Sequence, residues 1–171
     1  MHLEPLRHIA LFILLVLLQV LVLNHIHLFG VATPLLYIYF ILSMRRDYPR
    51  WALLVWAFAL GLLTDTFQNT PGVGAASLTL LAFLRPNLLQ LFITREMAED
   101  LIPSSSSLGR LTFFYYSSIA SGIFCVTFFT LEMFSFFNVV LWLQRTLGSL
   151  ILTMLFVMAA DSLRRKRDRK E

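Results

Sequence analysis

The sequence predicts an all-α, polytopic membrane protein with six transmembrane helices. The chain has 171 residues, of which 58% are hydrophobic and only 14% are charged, whereas a soluble domain carries about a quarter charged residues. Apolar runs of helical length recur along the chain between short polar stretches, and the Lys and Arg residues fall in alternate connections. These observations predict an integral membrane protein.

The apolar runs give the predicted spans, which together form one domain over residues 1–163. The first run resembles a secretory signal, but the sequence after it, "NHIHLFG", lacks a small-x-small cleavage site, so we interpret it as an uncleaved helix. A basic cytoplasmic tail is predicted over 164–171. The predicted spans are 8–23, 31–44, 51–64, 74–93, 111–131 and 137–160.

The distribution of cations predicts that both termini are cytoplasmic. Three outer connections, around 24–30, 65–73 and 132–136, contain no Lys or Arg. The cytoplasmic side would hold Arg45, Arg46, Arg50, Arg85, Arg95, Arg110 and the tail, in agreement with the positive-inside rule. The net charge of +4 comes largely from this tail and indicates membrane orientation rather than nucleic-acid binding. A five-helix topology would leave one terminus outside and fits this bias less well.

The segment "GLLTDTFQNTPGVG", residues 61–74, is predicted to form a polar hairpin below the membrane surface. The spans 31–44 and 51–64 have fourteen residues each, whereas about 20 are needed to cross the hydrocarbon. Irregular backbone at that depth needs polar partners, which this segment's side chains supply. Thr64, Thr66, Gln68, Asn69 and Thr70 are these partners, and Pro71, Gly72 and Gly74 make the reversal.

Asp65 and Arg145 are the predicted centre of the polar core. Counting about 1.5 Å per helical residue from the inner membrane face places Asp65 about 22 Å and Arg145 about 24 Å above that face. We therefore expect an ion pair between them, with Asn69 and Thr64 nearby, that holds helices three and six together. In the alternative, Arg145 extends to the outer headgroups or meets Glu132.

The long connection at residues 85–110 has two interpretations. Either Pro86 begins a new interfacial helix, or the fourth helix runs to Ile93 with a kink. Its four serines, 104–107, are expected to form a flexible turn. The tail residues Arg164, Arg165, Lys166 and Arg167 are a candidate surface for anionic lipid or a cytoplasmic partner.

No pattern in the sequence indicates catalysis or a cofactor. The Gly-x-Ser-x-Gly, His-Glu-x-x-His and Walker patterns do not occur. His25 and His27 lack a third ligand nearby, so they are weak evidence for zinc. The small-residue pairs Ala57/Gly61 and Ser118/Gly122 would permit close approach of helices.

The segment containing Gly61, Asp65, Pro71, Gly72 and Gly74 ahead of a short apolar helix resembles the bacterial rod-shape-determining MreD family. The resemblance implies a non-catalytic subunit of the cell-wall elongation complex in the inner membrane. Its implied partners are an MreC-like bitopic protein, an MreB-like filament, peptidoglycan synthases and membrane lipids. It also implies a fold similar to the substrate-binding subunits of energy-coupling-factor transporters, and hence an alternative function as a vitamin-type binding subunit.

Overall fold

The computed structural model describes residues 3–21, 33–93, 101–134 and 138–168, with side chains for 9–21, 33–93, 101–134 and 138–165. Within these ranges the regular structure is entirely helical. The six helices are α1 (Leu3–Leu21), α2 (Ile38–Leu42), α3 (Arg50–Gln68), α4 (Val73–Gln90), α5 (Arg110–Met133) and α6 (Val139–Asp168).

The longer helices pack around a buried central segment that contains α2. The α3–α4 pair makes the most extensive contact, α5 packs against α4 and α6, and α1 packs against α3. We call the end that carries the 45–50 and 101–109 connections the basic end. The opposite, charge-poor end carries the α3–α4 turn and the connection between α5 and α6.

Three of the helices are long and apolar enough to cross a membrane. They are α3, α5 and the part of α6 over Val139–Arg165, while the apolar part of α1 whose side chains are described, Ile9–Leu21, is shorter. This finding indicates a membrane protein. The prediction of six spanning helices is therefore supported for three: α2 has only five residues, and α4, which contains Arg85, Pro86 and Asn87, is not among the helices that are both long and apolar enough.

The predicted helical span over 31–44 is wrong for most of its described part. Only Ile38–Leu42 is helical, and residues 33–35 before it form no regular structure. Residues 34–44 are all buried, so this segment passes through the middle of the molecule rather than along its surface. Pro34 lacks an amide hydrogen and disfavours helix in the residue before it, which accounts for a non-helical start.

The third helix is longer than predicted and its turn is correspondingly shorter. Helix α3 continues four residues past Thr64, to Gln68, and only residues 69–72 form the turn. The hydroxyls of Thr64 and Thr66 donate to carbonyl oxygens one turn earlier in α3, at Leu60 and Leu62. These polar side chains are satisfied inside the helix, so they do not require an irregular backbone.

At the basic end the structure decides between the two interpretations of Pro86. Helix α4 continues through Pro86 to Gln90, with no new helix beginning there. The serines form a hydrogen-bonded turn rather than a flexible one: the Ser104 hydroxyl lies 2.8 Å from that of Ser106 and 3.1 Å from that of Ser107. The amide of Ser105 donates to the buried Asp161 of α6 at 3.2 Å, which attaches the turn to the bundle.

Candidate functional site

The carboxylate of Asp65 binds the N-terminus of α4. Its Oδ1 accepts hydrogen bonds from the Gly74 amide at 2.8 Å and the Thr70 hydroxyl at 3.1 Å, and its Oδ2 accepts one from the Ala75 amide at 2.9 Å. The side chain is buried, with 1% of Asp65 exposed. A helix N-terminus presents unpaired amides and a partial positive charge, so it stabilises a buried carboxylate without a cation.

Two glycines make this junction between α3 and α4 possible. A Cβ atom at Gly61 would lie 2.5 Å from the Cα of Ala75, and one at Gly74 would lie 2.5 Å from Asp65 Oδ1. Both distances are far below van der Waals contact, so hydrogen is the only side chain that fits. The predicted close approach at Ala57/Gly61 is therefore confirmed, whereas a Cβ at Gly122 would meet no atom within 4 Å.

The turn between the two helices uses two residues in the left-handed region. Asn69 ends α3 at φ 57° and its amide donates to the main-chain carbonyl of Asp65. Gly72 precedes α4 at φ 83°. Pro71 lies between them, and the amide of Val73 donates to the carbonyl of Thr70 at 3.2 Å. The predicted role of Gly72 in the reversal is confirmed, since a left-handed residue is cheapest as glycine or asparagine. Gly74, which was predicted to share this role, lies within α4 instead.

The predicted ion pair between Asp65 and Arg145 is wrong. Arg145 lies 3.6 Å from Glu132, which joins the start of α6 to the end of α5, and both side chains are about one-third exposed. Among the ion pairs of the described residues none involves Asp65. Two residues at the same depth on different helices do not necessarily lie on facing surfaces of those helices. The amides of α4 also already satisfy the Asp65 carboxylate. The alternative that Arg145 meets Glu132 is the one observed.

A second polar cluster, not predicted, holds the buried segment at residues 33–36. The Gln19 side chain of α1 donates to the Pro34 carbonyl at 2.9 Å and accepts from the Leu36 amide at 3.0 Å. From α6, the Thr153 hydroxyl accepts from the Leu35 amide at 3.1 Å. Because these side chains replace the hydrogen bonds of a helix, the chain crosses the centre in an irregular conformation. A glutamine within an apolar run was the available sequence signal.

Arg85 is a buried cation, and it was predicted only as a cation of the inner side. It is 2% exposed, and its guanidinium donates to the carbonyl oxygens of Met44 and, at 3.4 Å, Arg45. These are the carbonyls that follow α2, so Arg85 attaches α4 to the end of the central segment. The side chain also lines a cavity of about 320 Å³ at the basic end.

The charge-poor end contains a smaller cavity. Its volume is about 280 Å³, and it lies between the segment at 33–35, the end of α3, the turn and α5. Its lining is formed by Thr33, Leu35, Phe67, Gln68, Thr70, Phe128 and Glu132. Asp65, Asn69 and Arg145 are not among the lining residues. A vitamin-type binding subunit would need polar groups such as these around its ligand cavity, and they do not face this space together.

The described residues contain no group of three or more His, Cys, Asp or Glu side chains able to hold a metal ion. His25 and His27 lie outside these residues, as does Arg95, and so do the side chains of Lys166 and Arg167. Arg164 and Arg165 continue α6 beyond the predicted span and are partly exposed.

The geometry at Asp65 is that of a structural junction, because both oxygens of the carboxylate already accept hydrogen bonds from the chain itself.

Comparison of the chain with protein-family models, with curated proteins and with solved structures found no significant match.

Proposed function

We propose that this protein is a non-catalytic scaffold subunit of the bacterial cell-wall elongation complex, a multi-pass protein of the inner membrane that maintains rod shape. It would bind an MreC-like bitopic protein directly and, through it, an MreB-like filament and peptidoglycan synthases. The observation that carries this proposal is the closed junction at Asp65. A scaffold needs a rigid, packed core, and here the central carboxylate is 1% exposed and bonded to its own chain.

The sequence resemblance and the junction involve the same residues. Gly61, Asp65, Gly72 and Gly74 carried the resemblance, and they are the residues that permit the close contact and turn between α3 and α4. They fix the angle between two helices, which is a requirement for presenting a surface to a partner helix. The outward side of α3 is apolar, with Val55, Phe58 and Leu62 about half exposed or more. In a membrane such a surface contacts lipid or a partner's transmembrane helix.

The alternative function is a vitamin-type binding subunit of a transporter. The observation in its favour is the cavity of about 280 Å³ at the charge-poor end, which is lined by Glu132, Gln68 and Thr70. Ligand pockets usually have volumes of about 300–1,000 Å³, so this cavity is at the lower limit. Asp65 is also unavailable to a ligand, which makes the scaffold the better-supported function.

Depletion of the protein in its native bacterium tests the proposal. The scaffold function predicts that rod-shaped cells become round while vitamin uptake stays normal. Cells that keep their shape and lose uptake of one vitamin would favour the transporter function. Complementation with the Gly122→Ala variant, which the structure accommodates, is the matched control for complementation with Gly61→Ala, which it does not.

Purification with bound partners gives an independent test. Affinity purification in mild detergent followed by mass spectrometry should recover a bitopic protein and wall-synthesis enzymes. Recovery of an ATPase module instead would contradict the scaffold function. A variant that packs normally but carries polar side chains on the outward side of α3, Val55→Ser with Phe58→Ser, should lose the bitopic partner if that side binds it.

A further inference from the structure

The outward-facing apolar stripes of two membrane-crossing helices end beside arginines at the basic end. On α3 the stripe begins at Trp51, which is 72% exposed, and on α5 it begins at Leu111, which is 73% exposed. An exposed arginine directly precedes each of them, Arg50 on α3 and Arg110 on α5. Toward the charge-poor end the stripes continue at helical spacing through exposed side chains: Val55, Phe58 and Leu62 on α3, and Tyr115, Ile119 and Val126 on α5. Both helices therefore change from apolar to cationic within one residue.

The protein itself does not balance the charges of these two arginines. Neither Arg50 nor Arg110 forms a side-chain hydrogen bond or an ion pair with any described residue. The described carboxylates of this end are engaged elsewhere, since Asp47 is paired with Arg45 and Asp161 is buried. Each arginine is also the first residue of its helix, where the partial positive charge of the N-terminus disfavours a cation, and neither helix has an acidic residue in its first turn. Both charges are therefore left to the surroundings of the protein.

The position of the arginines matches the depth of the lipid phosphates. In a membrane Trp51 and Leu111 face the end of the hydrocarbon, because they are exposed members of the stripes on helices that cross it. The neighbouring arginine lies about 1.5 Å further along the helix axis, and its long side chain extends toward the headgroups. A guanidinium donates two parallel hydrogen bonds to phosphate oxygens. The phosphate of a zwitterionic lipid is balanced by its own ammonium group, so an anionic lipid gains more from this contact.

We propose that the basic end carries a headgroup surface, formed by Arg50 with Trp51 and by Arg110 with Leu111, that binds anionic phospholipids of the facing leaflet. Each arginine binds a lipid phosphate, and the apolar residue beside it contacts the upper acyl carbons of the same lipid. Two partly exposed arginines at the end of α6 add positive charge at the same end, Arg164 and Arg165. This inference is separate from the scaffold function, since it concerns lipid alone.

Tryptophan fluorescence tests the proposal, because Trp51 belongs to the headgroup surface and Trp142 lies at the opposite end, near the start of α6. Full-length protein is reconstituted in vesicles of phosphatidylglycerol with brominated acyl chains and unbrominated phosphatidylcholine, and in the reciprocal mixture. Bromine quenches tryptophan on contact, so the quenching in the two mixtures gives the relative affinity for the two lipids. Trp142→Phe leaves Trp51 as the reporter of the basic end, and Trp51→Phe leaves Trp142 as the reporter of the charge-poor end. The partly buried Trp56 is common to both reporters.

A cation beside an anionic headgroup favours it by up to about fivefold, so the Trp51 reporter should show a preference for phosphatidylglycerol of about two- to fivefold. The Trp142 reporter should respond equally to the two mixtures. In the Trp51 reporter, Arg50→Gln should remove most of the preference. Arg145→Gln is the matched control and should leave the preference unchanged, because that cation is paired with Glu132 at the other end. Salt at about 1 M shortens the screening length to about 3 Å and should also weaken the preference.

Equal quenching by the two lipids in the Trp51 reporter would overturn the proposal, as would the same loss of preference in both arginine variants. Polyglutamate is the remaining probe, added to vesicles of phosphatidylcholine alone. If it changes the emission of Trp51, the change is lost in Arg50→Gln and phosphatidylglycerol shows no preference, the surface binds an acidic protein segment and the lipid assignment is wrong.

Discussion

Asp65 of α3 and Gly74 of α4 are joined by a 2.8 Å hydrogen bond from the Gly74 amide to the Asp65 carboxylate. The bond exists because Gly74 has no side chain, since a Cβ there would lie 2.5 Å from the same oxygen. The carboxylate therefore acts as a cap for α4 supplied by the preceding helix, and fixes where α4 begins. In a low-dielectric interior this arrangement replaces an ion pair between distant helices.

The first prediction is that Asp65→Asn lowers the free energy of unfolding by about 1.5–3 kcal/mol. The amide has the shape of the carboxylate but presents one oxygen instead of two, and its NH₂ group faces a backbone amide hydrogen. Unfolding in detergent, followed by tryptophan fluorescence, measures the loss. Asp47→Asn, a half-exposed carboxylate paired with Arg45, is the control and should cost about 0–1 kcal/mol. Equal stabilities of the two variants would contradict the capping role.

The second prediction concerns the contact of α3 with α4 at Gly61. Gly61→Ala should destabilise the protein by about 1–3 kcal/mol, because the added methyl group meets the backbone of Ala75, which cannot rotate away. Gly122→Ala adds the same methyl group to α5, where it meets nothing within 4 Å. That control should gain about 0.5–1 kcal/mol from reduced chain entropy. An increased free energy of unfolding in both variants would contradict the close contact, because it would show that α3 and α4 can move apart to admit the methyl group.

The sequence predicted the class of the protein and the places where helices turn, since both depend on local composition. Gly72 and Asn69 mark the α3–α4 turn through their backbone preferences, and the reversal was predicted there. The length of α3 was underestimated because residues from 65 onwards, including Thr66, were assigned to the connection, although the Thr66 hydroxyl bonds within the helix. The sequence alone does not tell a threonine bonded to its own helix from one in a loop.

The failures concern contacts between distant segments. Arg145 was predicted to pair with Asp65 because the two residues lie at a similar depth in the membrane. The partner of Arg145 depends instead on the rotation of α6 about its axis, and the apolar pattern of α6 does not define that rotation. The central segment was expected to be a helix because it is apolar throughout. Its irregular path depends on Gln19 and Thr153, which lie 17 and 118 residues from their partners Leu36 and Leu35, and one sequence does not reveal such pairings.

The third prediction tests how the central segment is held. Thr153→Val keeps the volume of the side chain and removes the oxygen that accepts from the buried Leu35 amide. An unsatisfied buried amide costs about 1–3 kcal/mol, and unfolding in detergent should show this loss. Thr127→Val in α5 is the matched control, since the Thr127 hydroxyl only donates to a carbonyl of its own helix. If Thr153→Val lowers the free energy of unfolding no more than Thr127→Val does, the Leu35 amide must find another hydrogen-bond acceptor.

The fourth prediction separates the observed ion pair from the expected one. Arg145 and Glu132 are each about one-third exposed, so the pair is partly screened. The double-mutant cycle of Arg145→Gln with Glu132→Gln should give a coupling energy of about 0–1 kcal/mol. Arg145 and Asp65 share no hydrogen-bond or ion-pair partner among the described residues, so the cycle of Arg145→Gln with Asp65→Asn should be additive within about 0.5 kcal/mol.

The same two cycles can contradict the arrangement of α6 against α3 and α5. A coupling above about 1.5 kcal/mol between Arg145 and Asp65 would place the two charges in contact and would require α6 to rotate toward α3. The capping of α4 by Asp65 would then be incomplete, because a carboxylate bonded to a guanidinium offers fewer oxygens to the amides of Gly74 and Ala75. Additivity with Asp65 together with a small coupling to Glu132 is the result that this packing requires.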